Sequence, residues 1–177
     1  MHPGSDPDVD QLVLLALDLA EVRDSGQDLE EVAALVHRAS DSALEDDWDE
    51  VASLTDRLPE GMAEGIFPTG LAPLDAALFL FAHGARCSAT GRAPEAVETF
   101  RRMIALEEAG GEPREGLARS WGRLATAFAL CGRDAEAMGA FERSQALFDG
   151  AGEWYEPLQY ALELGDALAG AGRPEPA

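Results

Sequence analysis

His83 and Cys87 stand four residues apart, so a helix carries both on one face, the spacing at which an imidazole and a thiolate can share a metal ion. Zinc takes about four ligands, and His2, His37 and Cys131 lie at unrelated spacings. The expectation is therefore a buried structural pair, with no resident metal and no cofactor. The same two groups would make a Cys-His dyad for nucleophilic chemistry, yet the local sequence offers neither an oxyanion site nor a third group to orient the imidazole. No Gly-x-Ser-x-Gly, no phosphate-cradling glycine loop and no His-Glu-x-x-His occurs anywhere in the chain. No catalytic residue is expected.

Two further groupings invite a chemical reading. The acidic run Glu45-Asp46-Asp47-Trp48-Asp49-Glu50 lacks the glycine and the spaced oxygen ligands of an EF-hand loop. Carboxylates at a helix N-terminus are favourable with its dipole, so this run is expected to cap a helix while Trp48 anchors it to the core. Trp154 and Tyr155 sit together before Pro157, between two helical segments. They are candidate aromatic anchors for a binding surface, or apolar residues tucked under the following helix.

These residues sit in a chain long enough to bury a core: 177 residues, 46% of them hydrophobic. Its charge is lopsided, with 34 acidic against 13 basic residues and a formal net charge of −21. Every basic residue is arginine, which excludes Schiff-base chemistry and a phosphate-binding lysine. The absence of lysine and asparagine, beside much Ala, Gly, Arg and Asp, is the composition of a high-GC bacterial genome. Such an acidic field repels nucleic acid and anionic lipid, so neither is an expected partner. Residues 1–7 read as a disordered N-terminus without a basic targeting region, and the apolar run from Leu12 to Val22 is short and broken by Asp18 and Glu21. A cytoplasmic address is expected.

The positioning elements come from an internal repeat. Residues 91–106 align without gaps on 132–147 at an offset of 41, with Gly91/Gly132, Arg92/Arg133, Glu95/Glu136, Ala96/Ala137, Phe100/Phe141, Arg102/Arg143, Ala105/Ala146 and Leu106/Leu147 identical. The same offset pairs Leu80 with Trp121, Gly84 with Ala125 and Cys87 with Phe128, and a third copy begins where Gly165 and Gly172 follow Ala125 and Gly132 by 40. Each copy reads as a helix, a turn at glycine, and a second helix whose apolar residues, among them Ala137, Met138, Phe141 and Phe148, recur at helical spacing. A single pair cannot bury its apolar face, so neighbouring pairs must stack.

The pattern Trp121, Leu124, Ala125, Phe128, Gly132, Ala137, Phe141 resembles the tetratricopeptide signature, in the longer variety of about 40 residues familiar from kinesin light chains and from sensor regions of bacterial transcriptional regulators. The resemblance implies an all-α fold, a right-handed α-α superhelix (a TPR-like solenoid) of about eight helices. Residues 8–58 are expected to form N-terminal helices, with 28–58 a degenerate repeat, and 59–73 a Pro/Gly loop that is either a hinge or a plain connector. Residues 74–177 hold the repeats, with copies near 77–117 and 118–157 and a truncated one at 158–177. His83 and Cys87 depart from the family's large apolar and aromatic preferences, so the first copy is expected to pack more loosely.

By the same resemblance the first helices line a concave groove, which places Phe81, Ala85, Ser88, Arg119, Gly122, Thr126, Gln159, Leu162 and Asp166 as partner-binding residues. The lysine and asparagine clamp of chaperone-binding members is absent, since Phe81, Ala85, Gly122 and Thr126 stand at its positions. The expected activity is non-catalytic: an adaptor or scaffold that binds an apolar or basic protein or peptide. The alternative is a detached sensor domain binding a signalling peptide, with an enzyme on a repeat scaffold as a remote third. The last helix carries apolar residues nearly all round, so Leu162 and Leu168 are expected to form an association surface, for a homodimer or a partner, or to be covered by residues 8–24, or to be tolerated as exposed leucines.

Overall fold

The computed structural model describes residues 28–111, 114–149 and 155–171, the side chains of the last segment from Gln159 to Gly170. Every regular element among them is an α-helix: α1 (Leu29–Leu44), α2 (Trp48–Thr55), α3 (Pro73–Ala89), α4 (Ala93–Gly110), α5 (Arg114–Leu130), α6 (Asp134–Asp149) and α7 (Tyr155–Ala171). The chain is all-α. The helix expected over 8–24 lies outside the described residues.

Local chemistry sets the helix ends. The Asp28 carboxylate accepts from the Glu30 amide at 3.0 Å at the start of α1, and Asp47 does the same for Glu50 at 3.0 Å at the start of α2. The acidic run thus caps α2 as its composition implies, with Trp48 packed against the core. Pro73 and Pro94 sit in the first turns of α3 and α4, where a missing amide proton costs nothing. The segment between α2 and α3 is more than a tether. Met62 and Leu58 are buried, Phe67 meets Phe79 edge-on at 6.4 Å, and Arg102 donates to the Ala63 carbonyl at 2.9 Å. The Pro/Gly stretch is therefore a packed connector.

The repeat seen in the sequence is a repeat of backbone geometry. At the end of α3 the Arg92 amide donates to the Cys87 carbonyl at 2.8 Å and the Gly91 amide to that of Ser88 at 3.5 Å; at the end of α5, Arg133 donates to Phe128 and Gly132 to Ala129, each at 2.9 Å. Both are Schellman turns, with Gly91 (φ 76°) and Gly132 (φ 69°) in the left-handed region that glycine enters without a Cβ penalty. Each turn reverses the chain, so α4 packs back on α3 and α6 on α5.

Further contacts run from neighbour to neighbour. α1 packs on α2 and α3, α4 on α5, and α5 on α7, while α3 and α5 touch only lightly. One core threads the stack from Val36, Val51 and Leu54 through Phe100 to Leu124 and Leu164, and a smaller cluster joins Ala118, Phe148 and Tyr160. At about 25 cal/mol per Å² of apolar surface, burying residues of this size contributes about 1.5–3 kcal/mol each. At the phenylalanine of its second helix the first copy is closely packed. Gly84 leaves room for the Phe100 ring, which lies 2.7 Å from where a Cβ would stand and is itself 2% exposed. The second copy has Ala125 at that place, and its Phe141 is only half-buried. Met138 also departs from its expected apolar face and is 45% exposed.

Candidate functional site

The expected groove residues divide into two sets. Phe81 is buried, with the Arg123 guanidinium 4.2 Å above its ring centre. Gly122 is buried beneath Tyr160, whose Cγ lies 2.8 Å from where a Cβ would stand. These two positions are packing points between helices, which corrects their assignment to an open groove. α7 can approach α5 this closely because Gly122 has no side chain. Ala85, Ser88 and Thr126 are half-buried, and both hydroxyls turn back on their own helices, Ser88 donating to the Gly84 carbonyl at 3.1 Å and Thr126 to that of Gly122 at 3.4 Å. Arg119 on α5 and Gln159, Leu162 and Asp166 on α7 are exposed, on two helices that pack directly together.

The association surface contracts in the same way. Leu162 is 63% exposed, but Leu168 packs against the core beside the buried Leu164 and Ala167. Packing on α5 and α6 takes up most of what reads in sequence as an unpartnered apolar girdle. Of the aromatic pair, Trp154 and the side chain of Tyr155 lie outside the described residues, as does 8–24.

His83 and Cys87 do share a face of α3. Cys87 is fully buried, and its Sγ lies 3.5 Å from His83 Nε2, while the imidazole stacks on Phe79 with ring centres 5.8 Å apart. Burial lowers the His83 pKa, helped by the cations of Arg92 and Arg86, with Glu95 and Glu64 acting the other way. Burial pushes the Cys87 thiol up. The pair is thus held as thiol and neutral imidazole, the reverse of the thiolate and imidazolium that an activated nucleophile needs.

A third group joins them across the turn. Glu95, in the first turn of α4, brings a carboxylate oxygen so that the ligand atoms of His83, Cys87 and Glu95 all lie within 4.8 Å of one another. Glu95 is exposed and bonded by Arg92 Nη1 at 3.0 Å, while Arg92 Nε donates to Thr90 Oγ1 at 3.3 Å. Sequence spacing alone left Glu95 out, because it belongs to the next helix. The available signal was the repeated Gly-Arg-x-x-Glu, which ties that glutamate to the turn in both copies.

The second turn provides the matching geometry with other side chains. Leu124 and Phe128 replace His83 and Cys87. Arg133 lies 4.6 Å over the Phe128 ring and grips Glu136 with Nε at 2.6 Å and Nη2 on the other oxygen, and Arg101 lies 5.5 Å from the Phe128 ring centre. That grip holds the Glu136 carboxyl below its ordinary pKa. Comparison with protein-family models, with curated proteins and with solved structures yields no match. Among the described residues no helix is long and apolar enough to cross a membrane.

Proposed function

We propose that this chain is a non-catalytic, repeat-built adaptor that binds a protein or peptide of basic or apolar character. What carries the reading is the recurrence of one hydrogen-bonded helical turn at an offset of 41 residues, the construction principle of tetratricopeptide solenoids, which work by presenting stacked helix faces. The thiol and imidazole held neutral at Cys87 and His83 add support, since neither is poised for nucleophilic attack.

The binding face in this reading is the α5–α7 surface bearing Arg119, Gln159, Leu162 and Asp166. Leu162 supplies the apolar anchor, and the chain's net charge of −21 attracts a basic segment at long range. Titrating the protein with a panel of labelled basic amphipathic peptides and with their acidic counterparts tests it by fluorescence anisotropy. Basic peptides are expected to bind, to weaken with added salt, and to lose about tenfold or more with Leu162→Glu combined with Asp166→Arg, the change that removal of an interface anchor brings. A panel that binds neither class, or a double variant that binds as the wild type does, removes the adaptor reading from this face.

A further inference from the structure

We propose that His83, Cys87 and Glu95 form a binding site for a thiophilic divalent cation of the zinc type, built across the first helical turn. The inference stands apart from the adaptor reading and uses none of the α5–α7 residues that form its binding face.

The geometry is specific. Ligand atoms around tetrahedral zinc, at bond lengths of about 2.0–2.3 Å, stand roughly 3.3–3.6 Å from one another. Cys87 Sγ and His83 Nε2, at 3.5 Å, already stand at that edge. The Glu95 oxygen, within 4.8 Å of both, closes the remaining distance by a side-chain rotation that its exposed position permits. The first two ligands are held by the fold. His83 is stacked on Phe79, and the Cys87 carbonyl is tied to the Arg92 amide in the turn. Such support of ligand orientation from outside the coordination shell strengthens a metal site.

The donor set selects the ion. One thiolate, one imidazole and a single carboxylate suit zinc and disfavour calcium or magnesium, which need several oxygens. A water completes the tetrahedron on the side where Glu95 is exposed and His83 half-buried. Cys87 gives its thiol proton to solvent as the sulfur–metal bond forms, and His83 binds through the Nε2 lone pair with its proton on Nδ1. The cation also moves Glu95 from Arg92, an exposed ion pair of the kind that contributes little to stability. The second copy is an internal contrast. At the same backbone positions it has Leu124 and Phe128, so the two metal-ligating side chains are particular to the first turn and are not demanded by the repeat.

Cobalt(II) titration of the full chain, reduced and stripped with a chelator, tests the site. The expected result is one cobalt per chain with thiolate-to-metal charge-transfer absorption, lost on adding zinc, retained in Cys131→Ser and abolished in Cys87→Ser. Glu95→Ala, at an exposed position that does not endanger folding, is expected to weaken binding by about tenfold or more, the scale of losing one contributor to a site. The proposal is overturned by a wild-type protein with no charge-transfer absorption, by absorption that survives Cys87→Ser, or by Glu95→Ala binding cobalt as tightly as the wild type.

Discussion

At the end of α3, Arg92 stands beside an imidazole and a thiol; at the end of α5, Arg133 lies over a phenyl ring, 4.6 Å from its centre. The two turns have the same hydrogen bonds and the same left-handed glycine, yet one closes around polar groups and the other around an arginine–aromatic stack. The difference extends to the helices that follow. Gly84 admits Phe100 fully, where Ala125 accompanies a half-buried Phe141. Equivalent arginines also diverge: Arg102 ties the connector through the Ala63 carbonyl, and Arg143 covers Trp121 at 4.7 Å. The backbone of a repeat is thus conserved by its turn, while each copy's chemistry is set by the few side chains placed against that turn.

The sharpest way to break this comparison is to remove the two phenylalanines. Phe100→Ala is expected to cost about 3–5 kcal/mol, the range for a buried aromatic, and Phe141→Ala roughly 1–2 kcal/mol because its half-buried ring removes less area from water. Urea unfolding of both variants measures the gap, and equal losses would show that the copies are equally packed. Next comes the floor beneath each ring. Gly84→Ala is expected to destabilise by about 1–3 kcal/mol, since the overlap with the Phe100 ring outweighs the gain in helix propensity. Ala125→Gly tests the other copy, with a loss of about 1 kcal/mol from propensity. A stabilised Gly84→Ala would mean that Phe100 has room to move.

Smaller effects probe what the turns share. Gly91→Ala and Gly132→Ala place a Cβ in left-handed backbone where no neighbour lies within 4 Å, so each is expected to cost about 1–2 kcal/mol for conformation alone. Matching shifts in thermal midpoint would confirm a common geometry, and a large disparity would deny it. The smallest effect is electrostatic. Arg133 lowers the pKa of Glu136 in the folded state, so the pair stabilises the protein above the ordinary carboxylate pKa and this contribution is lost as pH falls through the lowered value. Because both partners are well exposed, screening keeps it to a few tenths of a kcal/mol, about the low end for surface pairs. Comparing Glu136→Gln with the wild type at neutral and at acid pH reads that sign, and a variant deficit that grows in acid would contradict it.

Much of the helical scaffold was legible from residue spacing. The 3.6-residue recurrence of Leu124 and Phe128, the glycines at 91 and 132, and the prolines in the first turns each act within a few residues, so local physics settles them. The capping role of Asp47 is of the same local kind. The candidate site was legible only in part. His83 and Cys87 share one helix and could be paired by counting, whereas Glu95 reaches them only because the turn folds α4 back on α3.

The sequence by itself determined that the chain is helical, where its helices turn, and that two copies share a turn, because these depend on propensities and hydrogen bonds between near neighbours. Tertiary structure decided which faces remain open. Gly122 becomes a seat for Tyr160, Phe81 is capped by Arg123, Leu168 enters the core and Leu162 stays in solvent. The physical reason is that burial and ligand geometry depend on how closely helices far apart in the chain approach one another. That approach is governed by side-chain volume on both surfaces at once, which spacing along one helix does not encode.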